Sequence, residues 1–195
     1  MKIVGIFVLI VMLCITGAVA FTYSGLFNVA ATTHEPVVVR WMLENTRKNS
    51  IQHEAKNIIV PKLSGENRLV SGGKAFEEMC SGCHGAPGKE PFLGATDMNP
   101  PPPDLEGVSR QRTAKELFWV VKNGIRMTGM PAWGPTHTDA QIWDLVAFMK
   151  RLPELSPGTY NNLIDTQDEE HGHEHESGVP TTSNIFNENN SNHSH

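Results

Sequence analysis

The pentapeptide Cys80-Ser81-Gly82-Cys83-His84 constrains the fold of this 195-residue chain more than any other feature. Two thiols three positions apart, followed at once by an imidazole, can add to two vinyl groups on one edge of a haem and present a ligand to its iron. This spacing is typical of c-type haem attachment. A thioredoxin-like redox pair would need a βαβ context, and half a zinc knuckle would need further ligands nearby. The neighbouring sequence offers neither.

The cysteine count excludes two other classes of protein. The chain has three cysteines, and Cys14 lies in an apolar run, which leaves Cys80 and Cys83 for the rest of the chain. A disulfide-rich secreted scaffold and a zinc site built from two cysteine pairs both need more than this. We therefore expect one covalent haem and no structural disulfide framework.

The N-terminal segment predicts export and membrane attachment. Residues 3–21 carry no charge, and about 20 apolar residues are enough to span a bilayer. We expect residues 1–21 to form a membrane anchor, although Ala18-Val19-Ala20 also resembles a signal-peptidase site that would release the chain after residue 20. Both alternatives place the remainder outside the cytoplasm, because the short cationic end stays inside. The expected location is a bacterial-type inner membrane with the haem domain facing the periplasm; a soluble periplasmic protein is the alternative.

Charge divides the rest of the chain into a packable domain and a tail. Residues 66–153 hold 10 basic and 10 acidic side chains, whereas residues 154–195 hold 8 acidic residues, 5 histidines and no Lys or Arg. Without a clustered basic face, nucleic-acid binding is not expected. We assign residues 66–155 to the domain and residues 156–195 to an acidic, His-rich, disordered tail. The histidines at 171–175 are candidates for weak metal binding.

Residues 22–65 form a juxtamembrane segment in which we expect one helix. It opens near Pro36 and carries Val37, Val38, Trp41 and Met42. Two roles stay open for this helix. It either lies at the membrane interface or packs on the domain.

Three helix patterns and no alternating strand pattern predict an all-α domain. The first helix leads into the cysteine motif, and the other two open with capping boxes at Thr113/Glu116 and Thr138/Gln141. Between the first two lies a long loop, residues 85–111, with four prolines at 100–103. A loop of this length argues against a compact fold unless a non-protein group fills the space that it encloses.

An iron with one imidazole needs a sixth ligand or an open site. Met149 falls on the apolar face of the third helix and is expected in the core. Met130 lies between Gly129, which permits close approach of the backbone, and Pro131, which stiffens the loop; the spacing favours it over Met127. The full set of candidates is Met98, Met127, Met130, Met149 and His137.

Three motifs in order resemble the class I cytochrome c fold, in the subgroup whose domains also occur in haem-copper oxidase subunits. They are CSGCH at 80–84, MNPPPPDL at 98–105, and GIRMTGMPAWG at 124–134 followed by the helix TDAQIWDLVAFMKRLP at 138–153. The resemblance covers residues 66–155 and implies three or more helices with long loops around one covalent haem c.

The resemblance also assigns roles to residues. It implies that Cys80 and Cys83 carry thioethers and that His84 and Met130 are the axial iron ligands. It further implies that a carbonyl among Pro101–Pro103 accepts the His84 N–H, and that the first and last helices cross at Gly73, Phe76, Leu145 and Phe148.

The expected function is one-electron transfer in a respiratory or other periplasmic chain, with redox proteins as partners and the N-terminal helix in the membrane. We expect an electron carrier rather than an enzyme, because a thioether in a loop shaped to hold it closes the iron. Three alternatives stay open: a haem subunit of an oxidase or dehydrogenase complex, a gas-binding protein and a peroxidatic haem protein.

Overall fold

The structure is a computed structural model that describes residues 2–33 and 35–165, and this part of the chain contains helices but no strand. The all-α prediction is therefore confirmed. The helices are α1 (Lys2–Tyr23), α2 (Val37–Ala55), α3 (Glu66–Met79), α4 (Ser81–His84), α5 (Leu93–Thr96), α6 (Leu105–Gln111), α7 (Ala114–Asn123), α8 (Asp139–Arg151), a 3₁₀ turn (Leu152–Glu154) and α9 (Pro157–Asp165).

Both predicted capping boxes begin helices in the structure. The Thr113 N–H donates to Glu116 Oε2 at 2.8 Å, and the Glu116 N–H donates back to Thr113 Oγ1 at 3.4 Å. The Thr138 and Gln141 pair repeats this exchange at 2.9 and 3.3 Å. Each box satisfies two backbone donors that would otherwise lack partners. The starts of α7 and α8 are thus set by local sequence.

The core forms where α3 crosses α8. Two glycines line the crossing. Gly73 lies against Phe148 as expected, since a Cβ atom there would be 3.1 Å from the ring, and Gly72 is closer still, since a Cβ atom there would be 2.1 Å from the Asp144 carbonyl oxygen. Beside the crossing, the Phe76 and Phe148 rings pack with centroids 5.3 Å apart. Only a residue without a side chain at position 72 lets the two backbones approach this closely.

Helix α9 extends the packed part of the chain beyond the expected boundary at residue 155. Tyr160 is buried, and its ring lies 6.3 Å from that of Phe76 and 6.1 Å from that of Phe148. Its hydroxyl donates to Glu77 Oε2 at 2.5 Å. The core therefore includes a segment that composition assigned to the tail. The rest of that tail, including the histidines at 171–175, lies outside the described residues.

Helix α2 is divided between two environments. Near its C-terminal end, Ile51 and Ala55 are buried, and α2 packs against α7. Lys115 on α7 donates to the Lys56 carbonyl at 3.2 Å just after α2 ends. The N-terminal half is exposed instead. Two roles were open for this helix, at the membrane interface or packed on the domain. Its C-terminal half packs on the domain.

Helix α1 is long and apolar enough to cross a membrane, with a mean hydropathy of 2.9 and no buried residue. A signal sequence at this position would have the same properties. The helix is therefore a candidate membrane anchor on length and composition.

The α3–α8 crossing predicts that Gly72→Ala is strongly destabilising. The added methyl group meets the backbone at Asp144, which cannot rotate away as a side chain would, so we expect a loss of at least about 2 kcal/mol. Denaturant unfolding of the purified protein measures this loss. Gly158→Ala is the matched control: a Cβ there meets nothing within 4 Å, and its stability should equal or slightly exceed that of the wild type. Equal stabilities for the two variants would contradict this account of the crossing.

The buried Tyr160 hydroxyl predicts a pH-dependent contribution to stability. Burial raises the pKa of Glu77, but hydrogen bonds from Lys89 and Tyr160 together with the Lys89 charge outweigh it and hold this pKa below 4.5. The stabilisation that the Glu77 carboxylate gains from these contacts is therefore complete above about pH 4.5. It is lost as the pH falls through the lower pKa that Glu77 has in the folded state. Tyr160→Phe should cost about 1.5 kcal/mol at pH 7, and its deficit should shrink in acid.

The exposed Tyr23 supplies the control for this variant, because Tyr23→Phe removes a hydroxyl that is not buried in the core. Unfolding curves between pH 3 and pH 7 compare the two. A Tyr160→Phe deficit that did not change with pH would mean that the hydroxyl does not act through the Glu77 carboxylate.

Candidate functional site: the cysteine-histidine turn and the methionine loop

The Cys-x-x-Cys-His motif forms one tight helical turn directly after α3. The backbone N–H groups of Cys83 and His84 both donate to the Cys80 carbonyl, at 3.1 and 2.9 Å. Gly85 ends the turn with φ of 72°, and a Cβ there would lie 2.8 Å from the Lys89 carbonyl oxygen. Helix geometry therefore places both thiols and the imidazole on one compact element, as the sequence motif requires.

A polar network holds this turn against α3. The Ser81 hydroxyl donates to the Glu77 carbonyl at 2.8 Å, and Lys89 makes an ion pair with the Glu77 carboxylate and approaches Ser81 Oγ at 3.4 Å. Because the Tyr160 hydroxyl binds the same carboxylate, α9 also supports the turn. Sequence reasoning missed Glu77, Lys89 and Tyr160, since residues so far apart in sequence give no local signal.

The two cysteines of the turn are free thiols in different surroundings. Cys80 is buried and Cys83 is half-buried. Burial raises the pKa of the Cys80 thiol to about 12, and the neighbouring Cys83 adds to the shift. A catalytic or redox-active cysteine has a lowered pKa instead, so the environment of Cys80 disfavours a thioredoxin-like pair.

The zinc alternative also lacks support in the described part of the chain. Within residues 2–33 and 35–165, no group of three or more His, Cys, Asp or Glu side chains is placed to hold a metal ion. A structural zinc site needs four such ligands.

The His84 imidazole is oriented by a backbone carbonyl. Its Nδ1 lies 2.8 Å from the Pro103 oxygen. A carbonyl can only accept, so Nδ1 carries the proton and Nε2 keeps a free lone pair. Burial lowers the pKa of His84, and the hydrogen bond to Pro103 opposes this only in part. The side chain is thus a neutral imidazole whose second nitrogen is available to a metal. Of the three prolines that sequence left open, Pro103 is the acceptor.

Met130 lies in a separate loop that begins at Gly124, the residue that ends α7 with φ of 66°. A Cβ at Gly124 would lie 2.7–2.8 Å from backbone atoms of Met130, Pro131 and Ala132. The Ile125 N–H donates to the Met130 carbonyl at 3.2 Å. At the start of the loop, the backbone at Gly124 therefore lies so close to residues 130–132 that only glycine fits there.

Further hydrogen bonds hold Met130 from both sides along the chain. Its N–H donates to Thr128 Oγ1 at 3.1 Å, and beyond it the Trp133 N–H donates to the Val121 carbonyl at 3.1 Å. Met130 is half-buried, whereas Met127 has φ of 62° and is 91% exposed. The structure thus distinguishes two methionines that spacing left as alternatives. Met127 faces solvent, whereas the backbone of Met130 is held by hydrogen bonds.

The other candidates for a sixth ligand have different surroundings. Met149 is buried in the core of α8, as expected, and His137 contacts Thr136 Oγ1 at 2.9 Å and packs its ring edge-on against Trp133. The Met98 sulfur lies beside Gly129, at 2.9 Å from where a Cβ of that residue would stand. The loop that orients His84 (residues 98–105, the proline loop) therefore touches the loop that carries Met130 (residues 124–134, the methionine loop).

The turn and its surroundings fit a covalently bound haem. Two adjacent free thiols, an imidazole with Nε2 available and a thioether held in a loop are the donor set that this group requires. A cavity of about 330 Å³ borders His84, and its walls combine apolar side chains such as Leu105 and Leu152 with the charged side chains of Lys89, Glu90, Asp104 and Glu106. A second cavity, of about 370 Å³, is lined by Met79 and Trp133 beside α8.

Comparison with known proteins gives one family. Residues 67–149 match the family model described as cytochrome c oxidase, cbb3-type, subunit III. No curated protein and no solved structure matches the chain. The matched residues run from α3 through most of α8, and they include the cysteine-histidine turn, the proline loop and the methionine loop. Residues 67–149 are therefore similar to a class I c-type cytochrome domain, which agrees with the resemblance of the sequence motifs.

Proposed function

We propose that this chain is a one-electron carrier with one haem c, attached by thioethers at Cys80 and Cys83 and ligated by His84 and Met130. The observation that carries the proposal is the hydrogen bond from His84 Nδ1 to the Pro103 carbonyl at 2.8 Å. It fixes the tautomer that leaves Nε2 free, in the same turn that holds both thiols. The sequence contains one Cys-x-x-Cys-His motif, which supports a single haem.

The bound haem supplies an iron that changes between Fe(II) and Fe(III) by one electron. The chain's own residues set the conditions for this change. His84 donates through a nitrogen whose direction is fixed by Pro103, and Met130 offers a soft thioether that favours Fe(II). Little has to move when the charge of the site changes.

The tethers of the methionine loop favour a carrier over a gas-binding or peroxidatic protein. Such a protein needs a distal position that opens to a small ligand. Here Gly124, Ile125 and Thr128 hold the backbone of Met130 on the domain. The loop is therefore suited to keep a protein ligand in place.

The family match supports work within a larger electron-transfer assembly. The matching family is described as a subunit of a cbb3-type cytochrome c oxidase. We propose that redox proteins of an electron-transfer chain, including an oxidase complex, exchange electrons with this domain. The two forms of the proposal, a free carrier and a complex subunit, use the same haem site.

The N-terminal helix supports attachment to a membrane. We propose that residues 1–21 anchor the chain in a bacterial-type inner membrane, that residues 22–65 join the anchor to the domain, and that the haem domain faces the periplasm. The uncharged stretch within α1 and the single Lys2 before it are the basis for this orientation. Covalent haem attachment also takes place outside the cytoplasm.

Replacing Met130 tests the assigned ligand. Met130→Ala should lower the reduction potential, remove the thioether-to-ferric-iron absorption band and allow the ferrous protein to bind CO, because a soft ligand is lost and a coordination position opens. Redox titration and absorption spectroscopy measure all three. Met127→Ala is the matched control in the same loop, and its exposed side chain predicts no change.

Two results would contradict the carrier assignment. Rapid and stoichiometric CO binding by the wild-type ferrous protein would favour a sensor or an enzyme. Equal spectra for Met130→Ala and the wild type would place the sixth ligand elsewhere, with Met98 as the nearest alternative because it borders the same loop.

The anchor is tested on the native protein. We expect the mature chain to retain residues 1–21 and to require detergent for extraction, because an uncharged span of this length is stable in a bilayer. N-terminal sequencing and mass spectrometry of the purified protein decide this. A mature chain that begins at Phe21 and is released by osmotic shock would show that the segment is a signal peptide.

A further inference from the structure

An apolar strip is exposed on the first two turns of α2. Val37, Val38, Trp41 and Met42 follow the spacing that places residues on one helix face, and they are between 56% and 83% exposed. Four neighbouring apolar side chains, one of them a tryptophan, form a surface that water solvates poorly. Such a patch, which we call the Trp41 strip, indicates an interaction surface.

The helix that carries the strip is fixed to the haem domain near both ends. At its C-terminal end, Ile51 and Ala55 are buried where α2 packs on α7. Just before its N-terminal end, Asn99 Nδ2 donates to Glu35 Oε1 at 2.8 Å. Asn99 belongs to the proline loop whose Pro103 orients His84. The strip is therefore held at a defined position on the domain.

The chain brings a bilayer within reach of the strip. Residues 24–36 connect α1 to α2 and extend at most roughly 45 Å when fully stretched. This connection also carries exposed apolar side chains, at Leu26, Phe27 and Val29. A domain tethered by so short a segment cannot move far from the membrane surface.

The charges near the strip match a lipid surface. Arg40, Arg47 and Lys48 lie on α2, against Glu44 on the same helix and Glu35 just before it, which approaches Arg40 at 4.0 Å, so the basic side chains remain in excess by one. Basic side chains beside an apolar strip are attracted to anionic headgroups, and tryptophan is favoured at the membrane interface. The combination fits the border between headgroups and acyl chains better than it fits water.

We propose that the Trp41 strip inserts into the interfacial layer of an anionic bilayer and holds the haem domain in one orientation on the membrane. The proposal rests on α1 spanning the membrane. With α1 as one attachment and α2 as a second, the domain has two fixed points and cannot rotate freely. The orientation of the haem plane relative to the membrane is then set by the protein itself.

The test uses the full-length, haem-loaded protein in oriented bilayers that contain phosphatidylglycerol. Linear dichroism of the haem absorption reports the orientation of the haem plane. The wild type should give a strong dichroic signal, and the double variant Trp41→Ser/Met42→Ser should lose most of it, by at least threefold. Ile59→Ser is the matched control: this apolar side chain is 89% exposed but lies outside the strip, and the signal should not change.

Cross-linking identifies the occupant of the strip. A photoactivatable phosphatidylglycerol in the same bilayers should label α2 of the wild type at least fivefold more than α2 of the double variant. Label confined to α1, or unchanged dichroism in the double variant, would overturn the proposal. A photoactivatable amino acid in place of Val38 tests the dimer alternative: cross-links from it to a second copy of the chain would overturn the proposal as well and identify a dimer contact instead.

The experiment separates this proposal from the proposed function. The haem spectrum and the reduction potential of the double variant should equal those of the wild type, which also shows that the domain has folded. Cleavage of α1 in the mature protein would overturn the orientation proposal, while the spectrum and the potential would still report on His84 and Met130.

Discussion

The close crossing of α3 and α8 at Gly72 is the constraint on which the site depends. Because the Asp144 carbonyl occupies the space that a side chain at position 72 would fill, the two helices meet backbone to backbone. Phe76 and Phe148 then pack beside the crossing, and Tyr160 closes it from α9. Helix α3 runs directly into the cysteine-histidine turn, so the crossing fixes the position of both thiols and of the imidazole.

Two loops complete the site, and each depends on one backbone carbonyl or one glycine. The proline loop presents the Pro103 oxygen to His84 and leaves Nε2 free. The methionine loop turns back at Gly124, where three following backbone groups lie too close for any side chain. Neither loop has a regular hydrogen-bonding pattern along its whole length. Their shape comes from individual contacts with the helical frame.

The features that sequence predicted are those encoded by neighbouring residues. The cysteine motif is contiguous, and each capping box spans four residues, so their meaning does not depend on the rest of the fold. The structure adds what long-range contacts decide: Gly72 beside the expected Gly73 at the crossing, Pro103 among the prolines, and Tyr160 in the core. A single tyrosine in a polar segment has no neighbouring sequence pattern that predicts its packing against Phe76 and Phe148. The assignment of Met130 as an iron ligand stays a prediction, which the tethered loop supports.

Two glycines of the methionine loop, Gly124 at its start and Gly129 near its middle, have different neighbours. At Gly124 the neighbours are backbone atoms, whereas at Gly129 the nearest neighbour is the thioether end of Met98, which can rotate aside. A larger residue at position 124 would displace everything that follows it, but one at position 129 would be absorbed by a rotamer change at position 98. Substitutions at positions 124 and 129 of the same loop thus have different structural effects. The first changes the path of the chain, and the second changes only how two loops fit together.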